Sequence, residues 1–197
     1  MRHVSTGAGR SARGMTLVEL LISMAILGVV MGGVTRSFVQ QRKITAIHTQ
    51  RVALIQHAQA AMDLVTRELR TAGTNPTGAA FVPVTYHAAR LEIRADLNGN
   101  GTTDTNNDPN EHLIYAYDSA HQRLTRDAGS GAEPLVDNLQ AFTFQYLDSA
   151  GAATTVSSAI RQLQITITAR TAASDPTYTA NHGYRTFTMT SVIALRN

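Results

Sequence analysis

Apolar and polar positions change rhythm twice along this 197-residue chain, and each change marks a border. Residues 1–14, MRHVSTGAGRSARG, are polar and basic and contain no apolar run. From Met15 to Val34, MTLVELLISMAILGVVMGGV, the positions are almost uniformly apolar and hold one charge, Glu19. Twenty such residues in a helix span about 30 Å, the thickness of a bilayer's hydrocarbon core, so a membrane-spanning segment is expected over about residues 15–35. The apolar positions then become periodic. Ile44, Ile47, Leu54, Ile55, Ala58, Met62, Val65, Leu69 and Ala72 recur at three-and-four spacing, interrupted by Arg51. Gln50, Gln56, Gln59, Asp63, Arg67 and Arg70 fall mostly opposite them, with Asp63 and Arg67 spaced as an i,i+4 pair. No proline precedes Pro76, and Gly73 followed by Asn75-Pro76 is a helix stop. One helix over residues 15–72 follows, lipid-facing first and amphipathic later. Gly28, Gly32 and Gly33 are positions for local bending or close helix packing.

After Pro76 the pattern changes to short β-prone runs separated by turn residues. Strands are expected at 81–87, 90–95, 112–117, 123–126, 141–147, 161–169 and 185–195. Leu163-Gln164-Ile165-Thr166-Ile167-Thr168 alternates as a half-buried strand does. The fold class is therefore α+β: residues 76–197 form a β-rich head whose antiparallel sheet packs on the amphipathic part of the helix.

The composition allows a core, since 43% of residues are hydrophobic, and with no cysteine the chain has no disulfide to staple it. The pI of about 9.6 resembles that of a nucleic-acid binder. However, Arg2, Arg10 and Arg13 lie in residues 1–14, which hold no acid; without them, 14 basic side chains face 14 acidic ones. The basic balance belongs to the leading segment, and a near-neutral remainder counts against nucleic acid as a partner. The seven histidines are scattered without an H-x-x-x-H pair, and no G-x-S-x-G, P-loop or dinucleotide fingerprint is present. The chain reads as a non-enzyme with no required cofactor. His112, beside Glu111 and close to Asp108, reads as a polar cluster at a strand edge, and Tyr115, Tyr117, Phe142, Phe144 and Tyr146 as core and sheet face.

Glu19 separates the alternatives for the N-terminal segment. A secretory signal would be cut after its apolar region at small residues, and TRSFVQQRK after Val34 offers no such site. A plain anchor does not explain an acid inside the apolar run, where a carboxylate costs about 2.5–3.5 kcal/mol. The string Gly14-Met15-Thr16-Leu17-Val18-Glu19-Leu20-Leu21 closely resembles the prepilin cleavage and methylation motif shared by type IV pilins and type II secretion pseudopilins. The resemblance implies cleavage after Gly14 by a prepilin peptidase on the cytoplasmic side and methylation of the new amine on Met15. It also implies that Glu19, the fifth residue of the mature chain, meets the N-terminal amine of a neighbouring subunit. Met15 stands where phenylalanine is commonest in the family.

Within that family the stretches 62–73, 139–146 and 160–165 resemble PilW-like minor pilins and, more distantly, GspJ-like minor pseudopilins. The implied function is a minor pilin in type IV pilus initiation and assembly; a type II secretion pseudopilin and a tethered adhesin or DNA-uptake pilin are alternatives. The implied partners are prepilin peptidase, other pilin subunits, the inner-membrane assembly machinery and membrane lipid. The implied location is the bacterial inner membrane with a periplasmic head, then the pilus.

A second candidate site lies in the head. In Asp96-Leu97-Asn98-Gly99-Asn100-Gly101-Thr102-Thr103-Asp104, side-chain oxygens occupy positions one, three, five and nine, and glycine occupies six. That is the spacing of an EF-hand calcium loop, in which Thr102 would lend its backbone carbonyl. Position twelve is Asn107 instead of glutamate, with Asp108 or Glu111 as substitutes. Calcium binding is one reading of this loop and a solvated Asn/Gly/Asp turn is the other.

Overall fold

The computed structural model describes residues 15–104 and 108–195, and divides into two compact units, Met1–Ile47 and His48–Asn197. A single helix, α1 (Leu17–Thr71), runs through both. In the first unit its apolar side chains, among them Leu20, Leu27, Val30 and Phe38, are exposed over their whole circumference. It is long and apolar enough to cross a membrane. Its hydroxyls are accommodated internally: Ser23 donates to the Glu19 carbonyl at 2.7 Å and Thr35 to that of Met31 at 2.8 Å, so neither needs water.

In the second unit α1 is buried on one face. Leu54, Ala58, Met62, Val65, Leu69 and Ala72 of the expected stripe are buried, and Ala61 joins them, while Ile44 is exposed. Gly73, at φ 79°, provides the left-handed residue that ends the helix, and its N–H donates to the Arg94 carbonyl at 3.0 Å. Asp63 and Arg67 form no ion pair. The neighbouring Glu68 pairs with Arg126 of the head.

The expected antiparallel head is present, and its strands divide into two sheets. The first has the order β1 (Val84–Thr85), β2 (Arg90–Arg94), β3 (His112–Asp118), β4 (Arg123–Asp127) and β5 (Ala132–Val136). The second is β6 (Leu139–Leu147), β7 (Gln162–Arg170) and β8 (Thr186–Ala194). Leu91, Ile93, Leu113, Tyr115 and Leu124 of the first sheet, with Leu163, Ile165, Ile167 and Ile193 of the second, share one core with the buried face of α1. β7 alternates buried and half-buried residues without a break, and its outward Thr166 and Thr168 bond across to Thr190 and Thr188 at 2.9 and 3.0 Å.

Two tyrosines join the sheets. The Tyr117 hydroxyl donates to the carbonyls of Leu139 and Gln140, and the Tyr146 hydroxyl to those of His87 and Arg90. Sequence patterning does not reveal β5, because Pro134 interrupts it; it is an edge strand, where a missing N–H is tolerated. The run expected at 81–87 contains Pro83 and shortens to the two residues of β1.

Candidate functional site

Of the processing residues, Gly14 and the arginines Arg2, Arg10 and Arg13 lie outside the described residues. Met15 is exposed. Thr16 caps the helix: its hydroxyl accepts the Glu19 N–H at 3.3 Å and its carbonyl accepts that of Leu20 at 3.1 Å. Glu19 thereby occupies the first turn, where the helix dipole favours negative charge. Its side chain is exposed and makes no ion pair or hydrogen bond with a described residue. This carboxylate is therefore accessible to a partner on a surface that is apolar apart from the hydroxyls of Thr16 and Ser23. The T-x-x-E spacing of Thr16 and Glu19 is a legible cap signal.

In the loop after β2, Asp96 is fully buried and acts as an acceptor hub. One carboxylate oxygen accepts the Gly99 N–H at 2.7 Å; the other accepts that of Gly101 at 3.0 Å and the Thr77 hydroxyl at 3.1 Å. Asn98 accepts the Asn100 N–H at 2.8 Å, and Asn100 accepts that of Thr102, also at 2.8 Å, in successive side-chain turns. Gly101 sits at φ 82°, with Thr77 Oγ1 3.4 Å from where a Cβ would be. Asp104 and Asp108 are half-buried, and Asn107 lies outside the described residues. Asp108 accepts the N–H of Asn110 at 3.1 Å. Glu111 is fully buried, and its Oε1 accepts the N–H groups of Leu97 and Asn98 at 2.8 and 3.0 Å.

Two charged hubs appear that residue order did not indicate. Glu92, buried on β2, is surrounded by His87, Arg94 and His112 at 2.8, 2.7 and 3.0 Å, with Arg90 at 3.5 Å. His112 thus turns to Glu92. Burial opposes ionisation of Glu92, but the bond and charge of Arg94, aided by His112, hold its carboxyl below the ordinary glutamate value. The second hub is Glu68 on α1, which accepts from Tyr115 and Arg126.

Two family models match this chain. The model of the prokaryotic N-terminal methylation motif matches residues 9–35, and that of prepilin peptidase-dependent protein B matches residues 48–190. No curated protein matches the chain. Among solved structures, a type IV-like pilin from Thermus thermophilus is similar over 72% of this chain and 96% of its own, at 16% identity and a TM-score of 0.43. The first match brackets the helix start and Glu19, and the second covers most of the head and the helix face buried in it. The chain is a type IV pilin-like prepilin and belongs to the prepilin peptidase-dependent protein B family.

Proposed function

We propose that this chain is a minor pilin of a type IV pilus, processed by prepilin peptidase and active in pilus initiation and assembly. The observation that carries the reading is Glu19, an accessible carboxylate in the first turn of α1 and the one charge in its exposed apolar run up to Val34. Cleavage after Gly14 leaves Met15 with an amine that prepilin peptidase methylates, and the leader arginines hold residues 1–14 on the cytoplasmic side. The mature chain is anchored in the inner membrane by α1 with its head in the periplasm, and leaves the bilayer on joining the filament.

In that transfer the Glu19 carboxylate meets the Met15 amine of a neighbouring pilin. Leaving either charge alone in an apolar bundle costs about 3–5 kcal/mol, so the pair selects one axial register more than it adds stability. The family match supports dependence on prepilin peptidase, and the stretches 62–73 and 139–146 support a PilW-like subtype. The role is structural, and the partners are other pilin subunits and the inner-membrane assembly machinery.

Intact-mass measurement of the membrane-extracted protein tests the processing. Loss of residues 1–14 with one added methyl group is expected, and full-length precursor in peptidase-competent cells overturns it. A deletion strain scored for piliation and for type II secretion separates the pilus from the secretion system; lost secretion with intact pili identifies a pseudopilin.

A further inference from the structure

Two carboxylates, Asp96 and Glu111, are buried in the head at 0% exposure, Glu111 bonding the residues that follow Asp96, and no Lys, Arg or His of the described residues pairs with either. Buried charge is retained where a cation or a full set of donors meets it. Asp96 has three donors, and Glu111 Oε1 has the N–H groups of Leu97 and Asn98. Glu111 Oε2 is buried with no hydrogen-bond partner among the described residues. An orphaned carboxylate oxygen, on a side chain already bonded to positions two and three of an EF-hand-spaced loop, is a feature that a solvated turn does not produce.

We propose that this loop binds one calcium ion and that Glu111, not Asp108, supplies the carboxylate missing at position twelve. The donors are Glu111 Oε2, the remaining lone pair of Asp96 Oδ1, the carboxamide oxygen of Asn98, that of Asn100 once the Thr102 hydroxyl it accepts turns away, the Thr102 carbonyl and Asp104. Asp108 accepts the Asn110 N–H at the turn before β3, and neither of its oxygens is among the buried atoms left without a partner, as Glu111 Oε2 is. All the donors are oxygens, and several are neutral. Such a set suits a hard ion of flexible coordination: zinc prefers nitrogen and sulfur, and magnesium demands a near-octahedral shell.

Among the described residues no three His, Asp or Glu side chains already converge. Part of the binding energy must therefore go into bringing the donors together, and an affinity in the weak extracellular range is expected. Asn98 and Asn100 are exposed and give the ion its entry path. Binding also reaches the helix, because Asn110, next to Glu111, accepts from Arg126, and Arg126 holds Glu68 of α1. The binding itself is independent of the assembly role; only its use in millimolar periplasmic or external calcium rests on the placement proposed above.

The test is thermal unfolding and calorimetric titration of the full processed chain in detergent, with calcium chloride, with magnesium chloride, and with chelator. Calcium is expected to raise the melting midpoint of the head by about 3 °C or more, with a Kd of about 10⁻⁴–10⁻³ M. Glu111→Gln keeps an oxygen for Leu97 and Asn98 and so melts near wild type in chelator, but it weakens calcium by about tenfold or more through loss of a charged ligand. Asp108→Asn stays within about twofold of wild-type affinity, the change left when a non-ligand charge is removed near an ion.

No calcium shift in wild type, or an equal response to magnesium, overturns the site. Retained affinity in Glu111→Gln with loss in Asp108→Asn overturns the ligand assignment. If Glu111→Gln does not fold in chelator, Asn100→Ala carries the test: weaker calcium with unchanged chelated melting supports the site, and unchanged affinity overturns it. Piliation is scored separately, so failure here leaves the assembly reading intact, and the converse also holds.

Discussion

Arg126 on β4 holds the carboxylate of Glu68, 58 residues earlier on α1, through Nε at 3.1 Å and Nη2 at 2.8 Å. The side chains of Arg126 and Glu68 are only 23% and 16% exposed, and the Tyr115 hydroxyl donates to the same carboxylate. Burial and the adjacent carboxylate push the Tyr115 hydroxyl far above the ordinary phenol range, so it stays a donor at every physiological pH. This cluster fixes the end of α1 against the first sheet. Arg126→Met leaves a largely buried carboxylate without its cation and is expected to cost about 2–4 kcal/mol in urea unfolding. Glu68→Gln in the same background recovers part of that loss, because the stranded charge is gone.

Glu92 makes the head acid-sensitive. Its folded carboxyl titrates below the ordinary value of 4.5, against the effect of its burial, because Arg94 and His112 favour the charged form. A depressed folded value means the stabilisation is present above the unfolded value and is lost as pH falls through the folded one. The wild-type urea midpoint should therefore fall steeply below about pH 4.5, and that of Glu92→Gln less steeply. Parallel profiles would show that the cluster of His87, Arg90, Arg94 and His112 does not stabilise the Glu92 charge.

Gly101→Ala is expected to destabilise the head by about 1–2 kcal/mol, since φ 82° is a left-handed conformation that a Cβ disfavours. A Cβ there would lie 3.4 Å from the Thr77 hydroxyl that donates to Asp96, an ordinary contact, so the backbone conformation carries the cost. Melting of the variant against wild type checks this, and an unchanged midpoint would mean that the loop backbone relaxes freely.

Glu19→Ala should leave cleavage and methylation intact on the mass spectrum while piliation falls at least about tenfold, since one uncompensated charge in the bundle exceeds the energy of a tenfold change. Glu19→Asp, which keeps the charge on a shorter arm, is expected to assemble partially. Wild-type piliation in Glu19→Ala would remove its proposed role.

Much of this architecture was legible because it rests on local period. The helix stripe from Leu54 to Ala72 and the alternation of Leu163, Ile165 and Ile167 each write one face into consecutive residues, and the structure buries those faces. The glycine stop at Gly73 and the T-x-x-E start at Thr16 are likewise local signals. β5 was not legible, because a proline-bearing edge strand has no pattern of its own and exists only by pairing with β4. The division into two sheets was equally hidden, since it depends on which strands pair with which across the fold, and β5 and β6 do not pair.

The linear chain by itself determined the basic, acid-free first fourteen residues, the apolar helix with its single acid, the α+β class and the oxygen-rich loop, since each is a matter of composition or spacing among near neighbours. Only the tertiary structure decided the partners of the charged residues. Nothing in residue order singles out Glu68 or Glu92, and Glu111 is marked there only as a substitute ligand beside the loop. Folding brings Arg126 to the first and Arg94 and His112 to the second, and leaves the third buried with one oxygen unmet among the described residues. The physical reason is that a charge contributes according to what lies within a few ångströms of it once water is excluded, and chain order does not encode that distance.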